Sequence, residues 1–371
     1  YAPEDRCNLI FDPYMGSGTS LVEASIKGIN SIGTDINPLA RMISEAKVTH
    51  FDICEIEMCL TQIQLLPFEF AINKVIKTDF SHISNYSFWY SEDSLMRLSY
   101  ISQVIDSFND KVQLFFKVAL SEVVREVSYT RNGEFKRFRM PEDKIKKFTP
   151  DVFGLFERKV YRNLQGLKQF NKANYHADVK ICNFNSVYSI PDDILPDNSI
   201  DMIITSPPYG DSHTTVAYGQ FSRWSNEWFG FPNAQSLDNL LMGGKKNATK
   251  QFEVQSITTE LQNIKNTDTI RYAEVLSFLN DYYLSISHIA PKIRTGGKIC
   301  YVVGNRTVKG IQIPLDYFTA ETFEHFGFKH NTTIVREIPN KRMPSKTSPT
   351  NKIGAKVATM SNEYIVIMTK R

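Results

Sequence analysis

A chain of 371 residues, 42% hydrophobic and 22% charged, is long enough to bury a core as one large α/β domain with insertions or as two domains, and its composition is that of an ordinary globular protein. Its five cysteines (Cys7, Cys54, Cys59, Cys182 and Cys300), odd in number and scattered, argue against a disulfide scaffold and for a reducing compartment, and no second Cys/His pair stands at ligand spacing to make Cys54 and Cys59 half of a metal site. A net charge of +3 permits a nucleic-acid partner without arguing for one, and neither a membrane-spanning apolar run nor a signal peptide is visible.

In chain order, Asn8-Leu-Ile-Phe11 reads as a short apolar strand. It runs into the turn Asp12-Pro13-Tyr14-Met15-Gly16-Ser17-Gly18-Thr19 and then a helix from Ser20 to Lys27, with Leu21, Ala24 and Ile26 at helical spacing and Gly28 as its stop. Strand, glycine turn and helix open a nucleotide-type α/β unit, because glycines let backbone N–H groups approach a ligand at the positive end of the next helix. A second strand, Ser31 to Thr34, ends in Asp35, and a carboxylate at that place can hold both hydroxyls of a ribose. Asn37-Pro38 then opens a helix through Leu39, Met42, Ile43 and Ala46. A dinucleotide fingerprint would carry a third glycine where Leu21 stands, and Asp12 would repel a pyrophosphate. The same carboxylate suits the ammonium of an amino-acid moiety, so S-adenosylmethionine fits better.

Residues 50–175 change to helical and irregular patterning. Ser99 to Val127 carries apolar residues at helix spacing, which predicts a long amphipathic helix or a broken pair. Arg125, Arg131, Lys136, Arg137, Arg139, Lys144, Lys146 and Lys147 then crowd a segment interleaved with Tyr129, Phe135 and Phe138. A phosphate backbone with unstacked bases would want such a pattern, and a solvated charged loop would also display it.

The sheet resumes at Val179 to Cys182, closed by Asn183-Phe184-Asn185, and a linker leads into the buried strand around Ile200, Met202, Ile203 and Ile204. Ser206-Pro207-Pro208-Tyr209 ends it. The prolines stiffen the backbone and leave carbonyl oxygens that no ladder consumes, while Tyr209 offers a flat face to a planar ring, a combination that suits the exocyclic amine of a base. Asp211 to Asn226, with His213, Tyr218, Gln220, Phe221, Arg223 and Trp224, reads either as a loop closing over that base or as a buried aromatic cluster. Residues 243–268 are polar and expected to be mobile. A helix from Tyr272 to Ile289, a break at Thr295-Gly-Gly-Lys298, a strand Ile299 to Val303, a helix Asp316 to Phe326 capped by Gly327, and closing strands Asn331 to Val335 and Glu363 to Thr369 complete the order. Arg336 to Lys356 reads as a basic loop near DNA and the base.

Ser-Pro-Pro-Tyr resembles the catalytic tetrapeptide of the amino-methylating DNA methyltransferases, in its Ser form the one usual in N4-cytosine enzymes. Asp12 to Thr19 followed by Gly33-Thr-Asp-Ile-Asn-Pro-Leu-Ala40 is similar to that family's two cofactor-binding segments, and Asn351, Lys352 and Thr359 follow a pattern seen near the end of many members. The resemblance implies an α/β, Rossmann-like S-adenosylmethionine-dependent methyltransferase fold, with residues 1–49 and 176–371 as the catalytic domain and 50–175 as a mostly helical insertion that recognises DNA. It implies Ser206, Pro207, Pro208 and Tyr209 as catalytic residues. It implies Asp12, Pro13, Tyr14, Gly16, Ser17, Gly18, Thr19, Asp35 and Ile36 around S-adenosyl-L-methionine, with Asn183 or Asn185 where the family has an Asp beside the adenine. Double-stranded DNA would be the partner, met by Arg125, Arg131, Lys136, Arg137, Arg139 and Arg223, within a restriction-modification system of a prokaryotic cytoplasm and nucleoid. A C5-cytosine enzyme would need a Cys after a Pro, and no Pro-Cys dipeptide exists. The family's usual segment before the first strand is not seen in a chain that starts at Tyr1, which raises the expectation of a missing N-terminal segment or of a second chain completing the cofactor site. An N6-adenine enzyme, an RNA amino-methyltransferase and a DNA-binding subunit without activity of its own are the competing readings.

Overall fold

Short apolar runs that stop at polar or glycine-rich turns make buried parallel strands, and seven strands assemble here into one sheet. They are β1 (Leu9–Asp12), β2 (Asn30–Thr34), β3 (Val179–Cys182), β4 (Ile200–Thr205), β5 (Ile293–Val303), β6 (Phe328–Glu337) and β7 (Asn362–Lys370). The main helices are α1 (Thr19–Ser25), α2 (Pro38–Val48), α3 (Ile53–Leu65), α4 (Glu92–Asp106), α5 (Asp110–Glu126), α6 (Val152–Phe170), α7 (Ser212–Trp228), α8 (Thr258–Thr267), α9 (Thr269–Ile289) and α10 (Leu315–His325). The computed structural model describes residues 7–65, 79–131, 137–173, 177–209, 212–244, 249–338, 346–347, 357–358 and 362–371, with the backbone course alone at 212–218, 346–347 and 357–358. Two compact units result. One comprises Tyr1–Ile36, Ala177–Val216 and Asp238–Arg371, the other Asn37–His176 and Ala217–Leu237. The helical unit is therefore wider than the expected 50–175, because it begins with α2 and takes in 217–237.

The sheet runs β3-β2-β1-β4-β5-β7-β6. Neighbours from β3 to β5 are parallel, with Asp12 beside Gly33, Thr34 beside Cys182, Phe11 beside Ile203 and Thr205 beside Tyr301. β7 lies antiparallel between β5 and β6. The fold is thus the Rossmann-like α/β arrangement with a helical insertion between β2 and β3. Its core joins Phe11, Ile203, Ile299, Tyr301 and Val366 of the sheet to Val275, Phe278, Tyr282 and Ile286 of α9 and to Phe318 and Phe323 of α10. At the opposite end from the turns, the Asp201 carboxylate accepts from Asn8 N (2.8 Å), Leu9 N (2.9 Å) and Arg294 Nε (2.6 Å), clipping the start of β1 to β4 and β5. Burial opposes that ionisation, but Arg294 and the two amides outweigh it and hold the carboxyl below its ordinary range.

Two expectations change here. The strand expected from Ile299 starts at Ile293, because Thr295-Gly-Gly is a bulge and not a break: Ile200 pairs with Ile293, Met202 with Lys298, and Gly296 takes the left-handed φ of 77° that the extra residues require. Residues 243–268 do not stand apart as a mobile stretch; beyond 245–248, which lie outside the described residues, Phe252, Val254, Ile257, Leu261 and Ile264 are buried in the core. Glu321 accepts from Gln255 N (2.6 Å) and Ser256 N (2.9 Å), which fastens that segment onto α10.

The other unit packs α3 to α6 and part of α7 around Ile101, Ile105, Phe116, Leu120, Val124, Phe156, Val160 and Trp224. The periodic stretch from Ser99 is a broken pair: Asn109 separates α4 from α5 and its Oδ1 accepts from Val112 N at 3.0 Å, a side-chain cap. Among the described residues no helix is long and apolar enough to cross a membrane.

Candidate functional site

Four parallel neighbours end at one edge of the sheet, in Asp12, Thr34-Asp35, Cys182-Asn183 and Thr205-Ser206. β1 sits where the strand order reverses, between β2 and β4, the place where an open α/β sheet leaves a crevice beyond its carboxyl ends. The turn after β1 folds back over β2: Met15 N donates to Thr34 O (3.2 Å), Gly18 N to Met15 O (2.8 Å) and Gly16 N to Asp35 Oδ2 (3.1 Å). Gly16 has φ 50°, and a Cβ there would meet nothing within 4 Å, so the backbone lies open to a ligand. Ser17 and Thr19 are exposed on the same turn, Pro13 and Gly18 are buried, and Ile36 is half-buried after Asp35.

Asp12 is buried, and its carboxylate accepts from Thr205 Oγ1 (2.6 Å), Tyr14 N (3.1 Å) and the Ser20 hydroxyl. Burial pushes its pKa up, against the pull of those donors. The side chain expected to meet an ammonium is thus engaged by its own chain, and ties the turn after β1 to the last residue of β4. Tyr14 also turns inward. Its hydroxyl bonds Ser285 Oγ (2.6 Å), its ring stands edge-on to Tyr301, and burial raises its pKa. Of the two asparagines, Asn185 is committed: Oδ1 accepts from Val187 N (3.0 Å) and Nδ2 donates to Leu240 O (3.2 Å). Asn183 is exposed at the end of β3.

At the end of β4, Ser206 is exposed, Pro207 buried, and Pro208 and Tyr209 half-buried. Ser206 Oγ and the Tyr209 hydroxyl share a hydrogen bond of 2.8 Å, and the Tyr209 hydroxyl reaches Glu363 Oε1 at 3.5 Å. Glu363 is paired in turn with Arg336, directly opposite it on β6. Reading the residues in order missed Glu363, because 154 positions separate it from Tyr209 and only strand register brings them together.

The expected nucleic-acid residues take different places in the helical unit. Arg125 is 5% exposed, with its guanidinium 4.1 Å from the Phe221 ring centre and donating to Phe221 O, so it is withdrawn as a phosphate contact. Arg137 stands over Trp224 (4.5 Å) and Trp89 (6.0 Å). Arg139 stands over Phe88 (4.2 Å), donates to Phe88 O (2.9 Å) and pairs with Glu142. Arg223 donates to Gln235 O at 2.7 Å. Arg131 is exposed at the base of a short antiparallel bridge between Thr130 and Arg139, and Lys136 lies outside the described residues. Lys144, Lys146 and Lys147 are exposed. Asp211 lies outside the described residues, and the stretch from Ser212 is α7 rather than a loop, with Trp224 fully buried in the aromatic cluster. Most of Arg336 to Lys356, with Asn351, Lys352 and Thr359, lies outside the described residues. Among the described residues no group of three or more His, Cys, Asp or Glu could hold a metal ion.

No family model matches this sequence. The chain is 39% identical over 386 residues to the type II methyltransferase M.MvaI of Kocuria varians, across 97% of this chain and 84% of that protein. It is 20% identical over 398 residues to the type II methyltransferase M.BsoBI of Geobacillus stearothermophilus, across 86% of this chain and 73% of that protein. Over 66 residues it is 42% identical to the type II methyltransferase M.MjaII of Methanocaldococcus jannaschii, across 18% of this chain and 12% of that protein.

Proposed function

The chain belongs to the type II DNA methyltransferases, and from that premise we propose that it methylates the N4 amine of a cytosine flipped out of double-stranded DNA. The observation that carries this reading is the 2.6 Å bond from Thr205 to Asp12, which fastens the residue before Ser206-Pro-Pro-Tyr209 to the residue that opens the glycine turn. One bond therefore keeps the two halves of the reaction at one strand edge.

The residues at that edge fit S-adenosylmethionine: an open backbone at Gly16, the Asp35 carboxylate for the ribose hydroxyls, and the exposed Asn183, in preference to Asn185, for the adenine. Bound there, the cofactor supplies an electrophilic methyl group on a sulfonium. Flipping the target base costs a few kcal/mol. Stacking on Tyr209, worth roughly 1–3 kcal/mol, offsets part of it. The Pro207 carbonyl and Ser206 Oγ accept from the amine, turning its lone pair out of the ring's conjugation and towards the methyl carbon, so that catalysis rests on orientation. The choice of cytosine over adenine rests on Ser206. DNA contact is assigned to the helical unit, through Arg131 and the exposed Lys144, Lys146 and Lys147. A restriction-modification role in the cytoplasm, beside the nucleoid, follows from that substrate.

The test is transfer of labelled methyl from S-adenosylmethionine to unmethylated double-stranded DNA, with the product nucleoside identified. N4-methylcytosine is the expected product. N6-methyladenine would discard the Ser206 argument and keep the mechanism, whereas label found only on structured RNA would overturn the substrate. A chain that retains S-adenosylmethionine only when a second chain is added would make it the DNA-binding subunit of a two-chain enzyme.

A further inference from the structure

The Ser206 hydroxyl poses a problem that an Asp in its place would not: it carries a proton, and that proton must point away from the amine if its lone pairs are to accept from it. The surroundings of Tyr209 supply a direction. Arg336 places both of its hydrogen bonds, from Nε at 3.1 Å and from Nη2, on Glu363 Oε2. Oε1 is left on the side of Tyr209, whose hydroxyl donates to it at 3.5 Å, a length of the kind that tightens when a substrate completes a site. A phenol has one proton. With that proton given to Glu363, the 2.8 Å bond between Tyr209 and Ser206 has Ser206 as donor, and the Ser206 lone pairs face away from Tyr209.

We propose, on the basis of the amino-methyltransferase reading above, that Glu363 is a positioning residue: clamped by Arg336, it polarises the chain Ser206 to Tyr209 to Glu363 so that a neutral serine serves as an acceptor for the target amine. Glu363 acts through its bonds to Tyr209 and Arg336. It also fixes the azimuth of the Tyr209 ring on which the base stacks, through a strand pair, β6 and β7, that carries no part of the cofactor turn.

Glu363→Gln tests this sharply, because the two Arg336 donors select the amide oxygen and leave the amide NH2 facing Tyr209, which inverts the chain and points the Ser206 proton at the amine. Single-turnover methylation of double-stranded DNA at saturating cofactor should fall roughly tenfold or more, the worth of one charge-assisted hydrogen bond. S-adenosylmethionine affinity and melting temperature should stay at the wild-type values. Tyr209→Phe should lower the rate by less, and Glu363→Gln added to Tyr209→Phe should cost nothing further, since the link is already cut. A Glu363→Gln variant of wild-type rate, or one that loses the same factor in both backgrounds, would overturn the proposal. The 13Cζ resonance of labelled Tyr209 gives a readout free of activity: it should move in Glu363→Gln, and an unmoved resonance would also overturn the proposal. A wild-type chain that transfers no methyl to DNA would instead overturn the functional reading, while the resonance still reports on Glu363.

Discussion

The turns at the carboxyl edge of the sheet and the arginine-rich hairpin of the helical unit both look, as strings of residues, like binding surfaces, and they use their polar groups in opposite ways. At the sheet edge, Asp12 and Asp35 hold backbone and hydroxyl groups of neighbouring turns, and the open backbone of Gly16 and the exposed Ser206 and Asn183 are left facing outward. In the helical unit, Arg125 of α5 and Arg137 and Arg139 of the segment after it turn onto the aromatic rings of their own unit. In both regions the charged groups are satisfied within the chain and build the scaffold; the sheet edge differs in the neutral polar groups that it leaves exposed.

The largest effect should come at the sheet edge. Tyr209→Ala should lower turnover roughly ten- to a hundredfold through lost stacking, with S-adenosylmethionine affinity nearly unchanged, as measured by single-turnover kinetics beside calorimetric titration. A variant of normal rate would remove Tyr209 from the site. In the hairpin, Arg137→Ala should cost about 2 kcal/mol of stability by losing its place over Trp224 and Trp89, read as a lower melting temperature. The comparison breaks if that variant instead keeps its stability and weakens DNA binding alone. Changing Lys144, Lys146 and Lys147 to Ala should do the reverse, reducing the slope of log affinity against log salt by about one for each phosphate left unneutralised while leaving the melting temperature in place.

The smallest effect is a slope with pH. Burial raises the Asp12 pKa above its ordinary 3.8, so the stability it contributes is fully present below that value and is lost as pH rises through the raised one. Asp12→Asn cannot ionise. As pH rises above that ordinary value the wild type should therefore lose more melting temperature than the variant, and parallel curves would show that Asp12 is not held against ionisation.

Much of the sheet edge is legible from residues alone, because β1 and β4 are mainly apolar runs, each of β1 to β4 ends in a polar or proline-bearing turn, and in a parallel sheet those ends fall together. What the motif does not carry is the use of each carboxylate: Asp12 and Asp35 differ in their partners, which arrive from β4 and from the glycine turn. Thr295-Gly-Gly looks like a breaker because glycine permits both a break and a bulge, and strand register decides between them. The hairpin is less legible still. An interleaved run of arginines and aromatics does not say whether the rings belong to the same unit or to a partner, and Trp89 and Phe221, which settle it, are distant in the chain. The apolar residues from Phe252 to Ile264 did carry a signal, diluted by the polar residues between them.

The helical insertion between β2 and β3 also dictates the order in which the molecule can be made. Thr34 is 150 positions from the Phe184 carbonyl it bonds, and Asp12 is 193 from Thr205. Closing loops of that size is slow, while the contacts within α4 to α6 are local. At typical ribosomal speeds the first two strands emerge and wait roughly ten to thirty seconds for their parallel neighbours, with apolar edges unpaired. The contacts among α4 to α6 can form during that pause, whereas the reactive edge cannot close until β4 has been made, and a nascent chain is most vulnerable to aggregation before then.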